Sequence, residues 1–210
     1  MTIRRWTEVF NELAVVALTV AVALGLERLF TANTYVRDLM VLVGASHLLA
    51  IACRRAGFGV GVSAIVSTAG LLIVGNVVLF PETAGQIVPS QETFDLLGDD
   101  LSLAWTTFSA EAAPVDPLRG FIAVAGAALW WAAALADWAA FRLRSQLETI
   151  APATALFAFT ALLGDGSRPA WHGGLYATAV AAVILTTRLA RRARDEIWIG
   201  SRGNAGLSAT

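Results

Sequence analysis

Residues 94–108 read FDLLGDDLSLAWTTF. The chain is 57% hydrophobic and otherwise laid out as long apolar runs, so this stretch decides between one more membrane crossing and a helix lying across the others. At about 100° per residue, Phe94, Leu97, Leu101, Ala104, Trp105 and Phe108 share one arc, while Asp95, Asp99, Ser102 and Thr106 share another. Hydrocarbon does not tolerate such an acidic face. The stretch is therefore a surface amphipathic helix, with Phe94, Leu97, Leu101, Trp105 and Phe108 expected to seat it on the ends of the spans. Gly98 is a candidate kink, and Leu96 and Leu103 point away from the seating face.

The rest of the composition fits that reading. The 210 residues include no Lys, 15% charged residues, seven Trp and ten Phe, a balance that belongs to a polytopic membrane protein with the lipid bilayer as its main partner. A net charge of −1 gives nucleic acid nothing to bind. Cys53, the lone cysteine, excludes an internal disulfide and a CxxC site, and no cofactor or metal set is expected.

A bilayer core needs about 20 apolar residues per helix, fewer where flanking arginines snorkel. Six segments qualify: residues 9–30, 36–53, 57–80, 118–141, 147–163 and 171–187. The fold class that follows is all-α, a polytopic bundle of about six transmembrane helices plus one extracytoplasmic amphipathic helix. The first span follows Arg4 and Arg5 and has no small-x-small cleavage site behind it, so it reads as a signal anchor. With the N-terminus inside, eleven of the fifteen arginines fall on the cytoplasmic side, and Arg28, Arg37, Arg119 and Arg168 on the other. The loop 81–117, with seven acids and no Lys or Arg, then faces outward. Residues 1–194 form the membrane domain. Residues 195–210 are expected to be a cytoplasmic tail or linker, with Ile197, Trp198 and Ile199 at the inner interface. The location implied is a bacterial plasma membrane, with both termini cytoplasmic.

Ionisable or polar residues inside spans are functional candidates because burying them is costly. His47, Asn76 and Asp137 are the three here. A hydrogen bond to a neighbouring helix accounts for His47 and for Asn76, and pairing with an arginine accounts for Asp137, which lies about one turn before Arg142. No catalytic constellation is present in the sequence: Cys53 and His47 lie on different helix faces, His172 belongs to the opposite side, and there is no HExxH, GxSxG or GxxxxGK[ST]. Gly57, Gly61, Ser63, Ser67 and the alanine-rich fourth span allow close helix packing. Trp130 and Trp131 lie mid-span, so at least one indole N–H is expected to find a partner inside the bundle.

RLF at residues 28–30, SHLLAIACRR at 46–55, FPET at 80–83, LGDDLSLAW at 97–105, ADWAAFRLR at 136–144 and RLARRARDEIWIG at 188–200 together resemble the N-terminal membrane domain of TgpA-type transglutaminase-like proteins of high-GC actinobacteria. The resemblance implies a multi-span domain preceding an extracytoplasmic transglutaminase-like domain with a Cys-His-Asp triad. It also implies a genetic neighbourhood with a MoxR-type ATPase and a von Willebrand-like partner. None of the triad residues can be carried onto this chain. What it implies here is a non-catalytic membrane anchor or scaffold; the alternative from the residues alone is a small polytopic transporter or channel. Because six spans return the chain inside, a seventh apolar run is expected after Thr210 and before any such catalytic domain.

Overall fold

In a computed structural model, residues 2–83, 85, 87–166 and 168–203 are described, with side chains from residue 6 to residue 192. Seven α-helices follow one another: α1 (Thr2–Gly25), α2 (Val36–Arg55), α3 (Val60–Leu79), α4 (Gln91–Ala110), α5 (Arg119–Trp138), α6 (Gln146–Leu163) and α7 (Pro169–Gly203). A 3₁₀ turn, Leu26–Leu29, continues α1, and a π turn, Ala139–Leu143, continues α5. Among the described residues there is no strand, only an isolated bridge between Phe30 and Val115.

Among the described residues, six helices are long and apolar enough to cross a bilayer, and α4 is the exception. They occupy Trp6–Leu29, Val36–Arg55, Val60–Leu79, Arg119–Leu143, Gln146–Leu163 and Pro169–Arg192, within a few residues of the sequence-based boundaries. The third starts later than expected: Gly57 takes a left-handed φ of +74° and Gly59 is extended, so α3 begins only at Val60. Arg144, left-handed at φ 57°, ends the π turn and reverses the chain into α6. The last helix runs on through Gly203, so much of the expected tail continues α7. The side chains of Ile197, Trp198 and Ile199 lie outside the described residues.

The core lies where α1, α2, α5 and α7 meet. Leu18 and Val22 from α1, Leu39 and Leu42 from α2, Leu129 and Trp130 from α5 and Val183 from α7 are fully enclosed. Lipid removes the hydrophobic drive between helices, so close backbone approach has to supply van der Waals contact instead. Gly126 on α5 does this against Leu42, and Gly70 on α3 against Leu49 and Trp130. The expected close-packing glycines Gly57 and Gly61 face open space. Gly57 lies in the turn before α3 and Gly61 in its first turn. α3 is apolar all round and mostly unburied, the signature of a helix turned to lipid.

Candidate functional site

α4 lies against the N-terminal end of α5, and three sets of polar contacts tie it and the loops that flank it to the ends of α3, α5 and α1. The first begins at its N-cap. Ser90 and Thr93 form a reciprocal capping box, with Thr93 N–H donating to Ser90 Oγ at 3.3 Å and Ser90 N–H to Thr93 Oγ1 at 3.2 Å. The Thr93 hydroxyl donates to Asn76 Oδ1 at 3.1 Å and stands 2.8 Å from the Thr83 hydroxyl. All three residues are buried. Asn76, the polar candidate of the third span, thus joins the end of α3 to the loop and α4, where the sequence suggested a tie between spans.

Arg119 supplies the second fastening. Its Nε donates to Asp100 Oδ2 at 2.5 Å, its Nη1 meets Glu82, and its guanidinium lies 4.6 Å over the Phe80 ring. Glu82 is held below the usual carboxylate range by a backbone hydrogen bond and by the Arg119 side chain. Beside this pair, Gly120 leaves room for the Asp100 backbone and the Ala104 methyl; a Cβ there would stand 2.2 Å from the Asp100 carbonyl oxygen. The third fastening follows α4. Val115 N–H donates to Leu29 O at 2.9 Å, Thr31 N–H donates to Val115 O at 3.0 Å, and the Thr31 hydroxyl donates to Asp116 at 2.6 Å.

These contacts put the closest approach of α4 at one edge of the expected face. The residues of α4 turned to the bundle are Thr93, Asp100 and Ala104, the last 4% exposed. Phe94, Leu101, Trp105 and Phe108 are all exposed, Trp105 at 70%, and Leu97 is intermediate. The physical reason is the floor. At Arg119 and Gly120 it accepts small and polar groups at close range, which turns the helix about its axis and sends the bulky side chains sideways. Leu101, Trp105 and Phe108 thereby line an apolar groove with the ends of α1, α5 and α6. Leu96 is half-buried and Leu103 exposed, and α4 runs unbroken through Gly98.

The other polar candidates are engaged inside the bundle. His47 Nε2 lies 2.6 Å from the Thr19 hydroxyl of α1. Ser46 donates to the Trp130 carbonyl at 2.8 Å, and the Trp130 indole N–H donates to Ser67 at 2.9 Å, so one mid-span tryptophan does bond across helices. Asp137 pairs with Arg54 of α2 at 3.4 Å rather than with the nearby Arg142. Arg54 also meets Glu12 at 2.5 Å and covers the Phe141 ring at 3.8 Å. Arg142 reaches the start of α3, donating to Phe58 O at 2.5 Å and Ser63 Oγ at 3.1 Å. Cys53 is buried at the same end.

One group escaped the sequence reading. His172, 1% exposed near the start of α7, has its Nε2 3.9 Å from Glu27, which Arg168 approaches at 3.5 Å. Neither ring nitrogen makes a hydrogen bond among the described residues, and the approach to Glu27 joins the start of α7 to the end of α1, which no local spacing announces. Among the described residues, no group of three His, Cys, Asp or Glu side chains could hold a metal ion.

Fold and contacts together define a class: an all-α polytopic membrane bundle with one amphipathic helix fastened across one end. No family model, no curated protein and no solved structure matches the chain.

Proposed function

We propose that this chain is a non-catalytic membrane anchor and scaffold of a bacterial plasma membrane. In this reading both termini are cytoplasmic and the α4 end faces outward, where it positions a transglutaminase-like domain. The observation that carries the reading is the triple fastening of α4, through Asn76, Arg119 and Val115, which makes the acidic loop a fixed platform rather than a tether. The arginine distribution supports the sidedness, since Arg54, Arg55, Arg142 and Arg144 cluster at the end opposite α4. The resemblance to TgpA-type membrane domains supports the kind of cargo, and a MoxR-type ATPase system is the further partner it suggests. The interior also fits: His47 and Asp137 are engaged with Thr19 and Arg54, as structural polar groups in a bundle are.

Reporter fusions after Arg55, Arg144 and Arg194 should read cytoplasmic, and those near Gln91 and Ser167 external; an external reading at Arg144 overturns the topology. In liposomes the chain should carry no flux that depends on His47. A proton- or solute-dependent flux abolished by His47→Ala would replace anchoring with transport. The reading frame beyond the Thr210 codon tests the cargo. A further apolar run of about 20 residues followed by a Cys-His-Asp domain is the expected finding, and a catalytic domain without that run contradicts the topology or the family.

A further inference from the structure

The apolar groove beside α4 occupies one leaflet's depth. Its walls run from Phe121 to Leu129 on α5, about 12 Å at about 1.5 Å per residue, against a half-bilayer of roughly 15 Å. The stretch from Leu156 to Leu163 on α6 and the end of α1 bound the same level. The volume is about 760 Å³, within the range of ligand-holding cavities, which is about 300 to 1,000 Å³. Leu162, on its wall, is 83% exposed, and Val124 and Phe159 are exposed beside it, so the groove opens on the surface turned to lipid. Trp105 and Phe108, with ring centroids 6.2 Å apart, belong to its α4 wall.

We propose that this groove holds one acyl chain of a phospholipid from the leaflet on the α4 side, and that the lipid carries an amine headgroup of the phosphatidylethanolamine type. The tail follows from the position. Apolar walls that open sideways at hydrocarbon depth are in contact with lipid tails, and since a tail already in hydrocarbon gains nothing by leaving water, van der Waals contact with matching walls is what holds it. The headgroup follows from charge. Among the described residues, Glu111 is the one ionisable residue on the groove wall, at the end of α4 where a headgroup would lie. The loop carries seven acids and no Lys or Arg. Arg119 takes up Asp100 and Glu82, and among the described residues no other carboxylate of the loop is ion-paired. An ammonium is attracted to that surface and an anionic headgroup repelled.

The inference does not depend on the anchor reading, and its test reads lipid rather than cargo or topology. The full chain, purified in mild detergent, is offered equal amounts of phosphatidylethanolamine and phosphatidylglycerol with matched tails, and bound lipid is read by native mass spectrometry. One retained phosphatidylethanolamine per chain is the expected result. Ala128→Phe, which fills the groove, should lower retention about tenfold through lost contact with the tail. Trp105→Ala, at an exposed position that tolerates change, should lower it in the same direction and decides the matter if Ala128→Phe loses its helicity. Glu111→Gln should narrow the preference over phosphatidylglycerol about threefold, the scale of one exposed charge pair. No retained lipid, or retention unchanged in a folded Ala128→Phe and in Trp105→Ala, overturns the site. Equal or preferential retention of phosphatidylglycerol overturns the amine headgroup. A second copy of the chain found in the groove by crosslinking overturns the lipid occupant.

Discussion

The two ends of this bundle are tied by different means. At the end rich in arginine, charges join spans directly: Arg54 of α2 bridges Glu12 of α1 and Asp137 of α5, and Arg142 beyond α5 reaches the start of α3. At the α4 end, the ties run from spans to a covering layer: Asn76 to Thr93, Arg119 to Asp100 and Glu82, and the backbone of Thr31 to Val115. Removing a tie at the first end should loosen the bundle itself. Removing one at the second should release the cover and leave the spans packed. Burial sharpens the contrast, since the Asp137 side chain is 6% exposed while that of Glu82 is 46% exposed.

The largest effect expected from this difference is at Arg54. Arg54→Ala leaves the buried Asp137 carboxylate without its ion-pair partner, while Glu12 keeps Arg55 at 3.7 Å, a loss of about 3 kcal/mol. Arg119→Ala at the other end should cost roughly 1 kcal/mol or less of bundle stability, because Glu82 is solvated and Asp100 belongs to the covering helix rather than to a span. Unfolding in detergent–denaturant mixtures measures both, and equal losses would erase the distinction between the ends.

The next effect concerns which side of α4 is down. Ala104→Asp places a carboxylate against Gly120 and should free α4, at about 2 kcal/mol for an unpartnered polar group. Ser102→Asp, on the exposed side, should change little. Limited proteolysis of the loop in membranes separates the two, and matching cleavage rates would mean that α4 does not rest on Ala104.

The smallest effect is a pH dependence confined to the covered end. Because the folded Glu82 carboxyl lies below its ordinary value, its contribution is fully present above the unfolded value, about 4.3, and is lost as pH falls through the lower folded value. Hydrogen exchange along α4, corrected for intrinsic rates, should therefore quicken on acidification below that point, with α1 and α5 unaffected. Glu82→Gln should blunt the change, and an identical acid response in that variant would remove Glu82 from the account.

What could be read in the sequence follows the same division. The spans were legible because hydrocarbon thickness sets a length, and apolar runs of that length leave few alternatives. α4 was legible as a surface helix because its acids recur at helical spacing. Its rotation was not: a helical wheel separates apolar from polar arcs, yet the seat is chosen by the shape of the floor, and Gly120 admits Ala104 where it could not admit Trp105. Asp137 was legible as a residue needing an arginine. Its partner was not, because Arg54 arrives from another helix while Arg142, nearer in sequence, extends toward α3. Gly70 and Gly126, which admit close neighbours, carry no local mark that separates them from Gly57 and Gly61.

Cysteine labelling in whole cells tests the central claim, a covered outer end on an anchored bundle, most directly. Cys53, the lone and buried cysteine, is replaced by serine, and single cysteines are placed at Ser102, Ala104 and Arg144. A membrane-impermeant maleimide should label the Ser102 site in intact cells, leave the Ala104 site protected, and reach the Arg144 site only after permeabilisation. Labelling of the Ala104 site as fast as the Ser102 site, or of the Arg144 site in intact cells, would contradict it.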